Sequence, residues 1–435
     1  MTIYEADWVC PASSGPCANG AVAVENGRIA AVGTDLQLPG PRIRFSGCAI
    51  IPGFVNAHAH LELTILRGFL EDIDFIKWIR TVTASKKERL TREDLLLSAR
   101  LGIAESLAAG VTCVGEVMDA GVSWQAMREL GLQGVAYQEL FGPADIHVEE
   151  SLKGLAGKIE ALRTQETETQ RLGVSPHAPF TVAPRLFRAV KDYAKKERLP
   201  VTVHIAESAE EDLYVRLGAG PFADRNRERN FEVEVAGCSP VQHLENCGML
   251  DADTLLIHVI RIEDKDLQVL RRTGAAVVHC PKSNAKLGHG VARVVEMCDA
   301  GVRLSLGTDS VASNNVVDMF EEMREAIFMQ RAHTGKHNAL GAHGAFRIAT
   351  LGGAECLGLE KRLGSLEAGK RADFVVVDLN DPAIQPVYDP VQAMVYSACR
   401  KNVRATYLGG EEIRIDAGPW MKQAGEIARK LVAAP

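Results

Sequence analysis

Pro52-Gly53-Phe54-Val55-Asn56-Ala57-His58-Ala59-His60-Leu61 carries an apolar, extended-looking run into two histidines separated by one small residue. Side chains on a strand alternate with period two, so His58 and His60 point the same way, and imidazole nitrogen is a favoured ligand for zinc or iron. A lone His-x-His pair arises often by chance, so its weight depends on what the rest of the chain sets beside it. Working outward, eight short apolar runs stand at residues 50–55, 111–117, 134–138, 172–175, 201–205, 254–259, 275–279 and 302–306, with longer stretches between most of them. Helical spacing is clearest over residues 92–109, behind the cap-like Thr91, and over 151–164. Short strands alternating with helices predict a parallel sheet, and eight of them predict an α/β, TIM-type (β/α)8 barrel over residues 54–363.

Such a barrel keeps its active site at the C-terminal ends of the strands. His58 and His60 follow the first run, His177 the fourth, His204 the fifth with Glu207 three residues on, His258 the sixth, and Asp309 the eighth. Metal-competent and other polar residues thus recur at one rim, which points to a metal site there. The chain ends differ in texture. Residues 21–25 and 28–32 flank Asn26-Gly27, a step suited to a tight hairpin, while residues 372–379, 405–408 and 412–415 surround Gly369 and Gly409-Gly410. Residues 1–53 and 364–435 are therefore expected to form one small β-sandwich domain.

Composition narrows the partners. The chain of 435 residues is 46% hydrophobic and 24% charged, with a formal net charge of -7. That balance gives no footprint for nucleic acid or an anionic membrane, and makes a small molecule the expected partner. Neither a signal-peptide pattern nor a run long enough to cross a membrane is visible, so a cytoplasmic location is expected. The ten cysteines have no Cys-x-x-Cys pair or framework spacing and read as reduced thiols.

With Pro-Gly-Phe-Val-Asn-Ala-His-Ala-His at 52–60 belong Ser-Pro-His-Ala-Pro at 175–179, His-Ile-Ala-Glu at 204–207, His-Cys-Pro-Lys-Ser-Asn at 279–284, Leu-Gly-Thr-Asp-Ser at 306–310 and Gly-Lys-Arg-Ala-Asp-Phe-Val-Val at 369–376. Together they resemble the amidohydrolase superfamily, in particular its mononuclear deaminase and chlorohydrolase branch. That branch includes the S-adenosylhomocysteine, 5′-methylthioadenosine and aminodeoxyfutalosine deaminases. The resemblance implies one divalent metal ion, zinc with ferrous iron as the alternative, held by His58, His60, His204 and Asp309. Dinuclear members carry a bridging lysine near strand four, where this chain has Gly173-Val174-Ser175-Pro176. Asp309 is expected to take a proton from the attacking water, Glu207 to shuttle protons, and His258 to polarise the nucleophile. Substrate contacts are expected at His177, at His279 and Asn284, and at Trp78, in a stretch that either caps a flat ring or simply begins an amphipathic helix. His147, His243, His289, His333, His337 and His343 read as solvated or locally bonded.

The reaction implied is hydrolytic deamination of an adenine nucleoside derivative. Glu210-Glu211 after His-Ile-Ala-Glu-Ser, and a segment at 142–150 without arginine, favour aminodeoxyfutalosine, a precursor in menaquinone biosynthesis, over S-adenosylhomocysteine or methylthioadenosine. Triazine, guanine or pterin hydrolases of the same branch, a dinuclear amide or ester hydrolase, and a noncatalytic binding protein are the alternatives. Family members are often dimers or tetramers, so a homodimer or homotetramer is expected.

Overall fold

The computed structural model describes residues 1–433. Its centre is a sheet of eight parallel strands running in chain order: Phe54–Ala59, Val111–Met118, Gln133–Leu140, Gln170–Pro176, Val201–Ile205, Thr254–His258, Ala276–His279 and Leu304–Leu306. Their residues are almost all buried, as expected of strands covered on both faces. A parallel bridge from Ala59 to Asp309 joins the last strand to the first, and the Asp309 amide donates to the His58 carbonyl at 3.0 Å. The contact that closes the barrel therefore also sets Asp309 beside His58 and His60.

The connecting helices bury one stripe each. In Pro184–Glu197 the buried residues are Leu186, Phe187, Val190, Lys191 and Ala194, a helical spacing that seats this face on the barrel. Lys191 is tolerated there because its ammonium reaches Asp251 at 2.6 Å and Thr254 at 2.8 Å. Thr91 caps Arg92–Ala108 through a reciprocal box with Asp94.

The chain ends share one mixed sheet. Val375 and Val376 pair antiparallel with Ile51 and Ile50, which stitches the C-terminal segment to the N-terminal one. The sheet curls over a core of Tyr4, Phe45, Phe374 and Tyr407, and the bridge between Arg28 and Arg371 draws its ends together as a sandwich. Asn26 and Gly27 both adopt positive φ, 51° and 74°, in the expected hairpin turn.

Two boundaries and one further element differ from expectation. Residues 50–52 end the long strand Arg42–Pro52 of the composite sheet, and the first barrel strand starts afresh at Phe54. Gly53 is the crossing point: a Cβ there would meet Thr112 Oγ1 at 1.9 Å, so no larger residue fits between the two sheets. The expected strand at 412–415 shrinks to Glu411–Glu412, and a helix, Gly418–Ala433, follows it and packs on Arg92–Ala108. Among the described residues no helix is long and apolar enough to cross a membrane.

Candidate active site

His58 lies on the first barrel strand and His60 one residue past it, with ring centroids 4.8 Å apart. His204, on the fifth strand, stacks on His60 at 5.4 Å. Its Nδ1 lies 3.3 Å from the carbonyl of His177, an acceptor only, so the ring proton sits on Nδ1 and Nε2 is bare. His60 Nε2 stands 3.3 Å from that nitrogen, and His58 Nε2 stands 3.1 Å from Asp309 Oδ1, which is 3.6 Å from His60 Nε2. Such spacings are close to the edge of a tetrahedron with ligand bonds of roughly 2.0–2.1 Å, the geometry of a zinc site. The donor set is one that a divalent ion fits, and His58, His60 and His204 offer three nitrogens within 4.8 Å of one another.

Asp309 is held from several sides. Oδ2 accepts from Ser283 Oγ at 2.6 Å and Ser313 Oγ at 2.9 Å, while Oδ1 accepts from the Ser310 amide at 2.6 Å. Burial would raise its carboxyl, but the His58 hydrogen bond and the surrounding imidazoles outweigh that and hold it well below the usual carboxylate range. Burial likewise keeps His60, His177 and His289 neutral, each pushed down to about 3. Non-glycine residues at positive φ gather at this rim: Ala206, His258, Val259 and Asp309 at 52°, 74°, 49° and 58°. For the β-branched Val259 this is strained backbone, of the sort functional sites retain.

Glu207 is buried beside the cluster. Burial, reinforced by the Asp309 charge, pushes its carboxyl well above the ordinary range. Glu211, expected as part of an acidic pair, turns inward instead and accepts from the Ala206 and Glu207 amides at 2.9 and 2.8 Å, fixing the turn that presents Glu207. His258 Nε2 and His289 Nε2 lie 3.4 and 3.5 Å from Glu207 Oε1. His289 is thus no solvated loop residue: it is 4% exposed and meets Phe75 edge-on at 4.5 Å.

His60, His177, His204, Glu207, His258 and Asp309 line one cavity of about 410 Å³, and Trp78 forms part of its wall from the helix Phe75–Ala84. His279 and Asn284 lie behind it and are not among its lining residues. Asn284 Oδ1 accepts from His258 Nδ1 at 3.0 Å, which leaves His258 Nε2 as the bare nitrogen facing Glu207. A residue expected at the substrate therefore orients a histidine instead, because the short helix Pro281–Lys286 turns it back toward the sixth strand. Glu139, Lys86, Arg80, Lys87, Arg225 and Arg229 also line the cavity and were not anticipated.

A family model described as the amidohydrolase family matches residues 49–413. The chain belongs to the amidohydrolase family. This amidohydrolase is 33% identical over 407 residues to a 5-methylthioadenosine/S-adenosylhomocysteine deaminase of Syntrophobacter fumaroxidans, covering 91% of this chain and 88% of that protein. It superposes on an adenosine deaminase from Xanthomonas campestris with bound zinc at a TM-score of 0.89 and 29% identity, over 100% and 99% of the two chains. Its fold is also that of the Helicobacter pylori aminofutalosine deaminase in complex with methylthio-coformycin, with a TM-score of 0.80 at 23% identity over 95% and 100% of the chains. The amidohydrolase is accordingly a hydrolase acting on carbon–nitrogen bonds.

Proposed function

We propose that this amidohydrolase deaminates an adenosine derivative that carries a carboxylate, using one zinc ion held by His58, His60, His204 and Asp309. The observation that carries the reading is the convergence of those four side chains with Glu207 and His258 in one cavity of a chain whose relatives are adenosine-type deaminases. Zinc bound there lowers the pKa of a water and makes a nucleophile available at neutral pH. Asp309, kept ionised by its imidazole neighbours, takes one proton as the water oxygen bonds to the amino-bearing ring carbon. Glu207, kept protonated by burial, gives its proton to the adjacent ring nitrogen. The C–N bond then breaks, the proton held by Asp309 leaves with the amine as ammonia, and the hydroxyl proton returns to Glu207 as the ring carbonyl forms. His258, oriented by Asn284, accepts a hydrogen bond from the reacting oxygen or from Glu207 through its bare Nε2.

A carboxylate on the substrate suits the cavity mouth. Arg80, Lys87, Arg225 and Arg229 line it, and none of the four has an ion-pair partner among the described residues. The segment at 142–150 has no arginine, and the positive charge comes instead from Arg225 on the helix Pro221–Glu228 and Arg229 just beyond it. S-adenosylhomocysteine and aminodeoxyfutalosine each bear a carboxylate on the far side of the ribose, and methylthioadenosine bears none. Ammonia release by the zinc-loaded protein from adenosine, methylthioadenosine, S-adenosylhomocysteine and aminodeoxyfutalosine tests the reading. Turnover favouring the two acids is expected. No ammonia from any of the four overturns it.

A further inference from the structure

His289 lies on the loop that follows the seventh barrel strand and the short helix Pro281–Lys286. It stands between Gly288 and Gly290, whose φ angles of 73° and 103° are open to glycine and let the chain turn so that the imidazole is buried. The His289 amide donates to the Asn284 carbonyl at 2.9 Å, while the Asn284 side chain holds His258. One residue thus fixes both imidazoles that flank Glu207, and both approach the same oxygen: His258 Nε2 lies 3.4 Å and His289 Nε2 3.5 Å from Oε1. Among the described residues no other side chain donates to the Glu207 carboxyl. A ring placed only to fill space beneath Phe75, which meets it edge-on, would be better replaced by an apolar side chain.

The two rings cannot play the same part. His258 commits its ring hydrogen to Asn284 Oδ1, so its Nε2 has none to offer. His289 is neutral and also carries one ring hydrogen. Its Nε2 is wholly buried with no hydrogen-bond partner of its own, and Glu207 is the carboxylate beside it. A hydrogen on Nε2 gives that oxygen a donor; the opposite tautomer would set two bare nitrogens against it, at the cost of a buried, unpaired polar group. At 3.5 Å the contact is long, as catalytic pairs often are before substrate tightens them. It strengthens as Glu207 gives up its proton and becomes charged, which is when the reaction gains from it. Building on the deaminase reading, we propose that His289 is a positioning residue whose Nε2–H holds Glu207 Oε1 throughout the cycle, so that Oε2 alone gives its proton to the ring nitrogen and takes the hydroxyl proton back. His289 keeps its own proton, and the bare Nε2 of His258 is left to accept from the reacting oxygen.

The test removes the donor with His289→Leu and returns one with His289→Gln. A hydrogen bond to an ionised group corresponds to about 10- to 100-fold in rate, so His289→Leu is expected to lose that much kcat with KM within about twofold, and His289→Gln to regain most of it. A residue that acts through Glu207 has nothing to act on once that proton is gone. The double variant Glu207→Gln/His289→Leu is therefore expected to turn over within about threefold of Glu207→Gln alone, whereas a merely structural role would multiply the two losses. Losses that multiply, or a change in KM with kcat unchanged, overturn the inference and leave the deaminase reading standing. A second readout needs no turnover. Histidine ring-nitrogen NMR of the zinc-loaded protein, with His289 assigned through His289→Gln, is expected to show its hydrogen on Nε2 and its resonances moved by Glu207→Gln. A hydrogen on Nδ1, or resonances indifferent to Glu207→Gln, overturns the inference. If none of the four adenosine compounds releases ammonia, the deaminase reading falls and the tautomer still judges His289; that measurement stands even where His289→Leu does not fold.

Discussion

In the proposed mechanism Glu207 carries the heaviest chemical load of any single side chain. Replacing it with Gln keeps the volume and the hydrogen-bonding capacity but removes the transferable proton. A positioned general acid contributes roughly 10²–10⁴ in rate, so Glu207→Gln is expected to lose that much kcat with metal content unchanged, read by ammonia release beside elemental analysis. A fall in bound metal in parallel with the rate would instead make Glu207 a ligand. The convergence of His58, His60, His204, Glu207, His258 and Asp309 was legible from sequence because each sits at or just past the end of an apolar run, where the barrel rule gives a polar residue meaning. The residues that orient them were not. Ser283, Ser313 and Asn284 occupy single-turn helices whose direction depends on tertiary packing. His289 sits between two glycines, Gly288 and Gly290, and reads as a solvent turn until Phe75 folds over it. Glu139 had no signal at all, since one glutamate at a strand end has no partner in the sequence.

The turn Leu61–Leu66 joins His58 and His60 to the rest of the rim, and its Glu62 ties it to the neighbouring strand end. This buried carboxylate accepts from the Asp119 and Ala120 amides at 3.0 and 2.9 Å and from the Val122 and Ser123 amides at 2.9 and 3.4 Å, capping the helix Val122–Leu130 across the barrel top. Glu62→Ala would strand those donors where water cannot readily replace the acceptor. A loss of about 3 kcal/mol in unfolding free energy is expected, checked by urea denaturation at unchanged m-value. A change under about 0.5 kcal/mol would show that the amides find other partners. Elements of this length were mostly legible, and the failures share a cause. Residues 50–55 form one unbroken apolar run because both sheets bury it, so periodicity cannot find the break at Gly53; only the close approach of Thr112 reveals it. The helix Gly418–Ala433 packs Ile427 and Leu431 beside Leu63, Leu66 and Leu90, contacts remote in sequence.

Across the whole molecule, charge distribution matters more than net charge. A chain of net charge -7 that lines its cavity mouth with Arg80, Lys87, Arg225 and Arg229, against the single exposed acid Glu88, concentrates positive potential there. Raising ionic strength from about 0.01 to 0.15 M, which shortens the Debye length from roughly 30 to 8 Å, is expected to lower kcat/KM for S-adenosylhomocysteine or aminodeoxyfutalosine and to leave methylthioadenosine unaffected. Parallel salt curves would remove the mouth from substrate selection. The pH dependence of stability, in turn, is expected to depend on buried titratable groups away from the histidine cluster. Burial, with Arg188 adding to it, lowers His243 to about 4, so between about pH 4 and 6.5 the unfolded chain binds the extra proton and stability rises with pH. The full effect is about 3 kcal/mol, lost as pH falls through the folded value. Glu322 acts in the opposite sense. Burial, only partly offset by Lys282 and Asn314, raises it to about 8, so the folded chain holds the extra proton from the ordinary carboxylate range up to about pH 8, and stability falls as pH rises. The two slopes oppose each other below pH 6.5, and only the second acts between 6.5 and 8. Urea unfolding of the metal-free protein is therefore expected to show stability declining from pH 6.5 to 8, with Glu322→Gln making that limb shallower while Glu139 and Glu211, also raised to about 8 by burial, keep the rest of it. His243→Leu is expected to relieve the loss at pH 4.5 without altering the alkaline side. An alkaline limb unchanged in Glu322→Gln would assign the decline to another buried carboxyl.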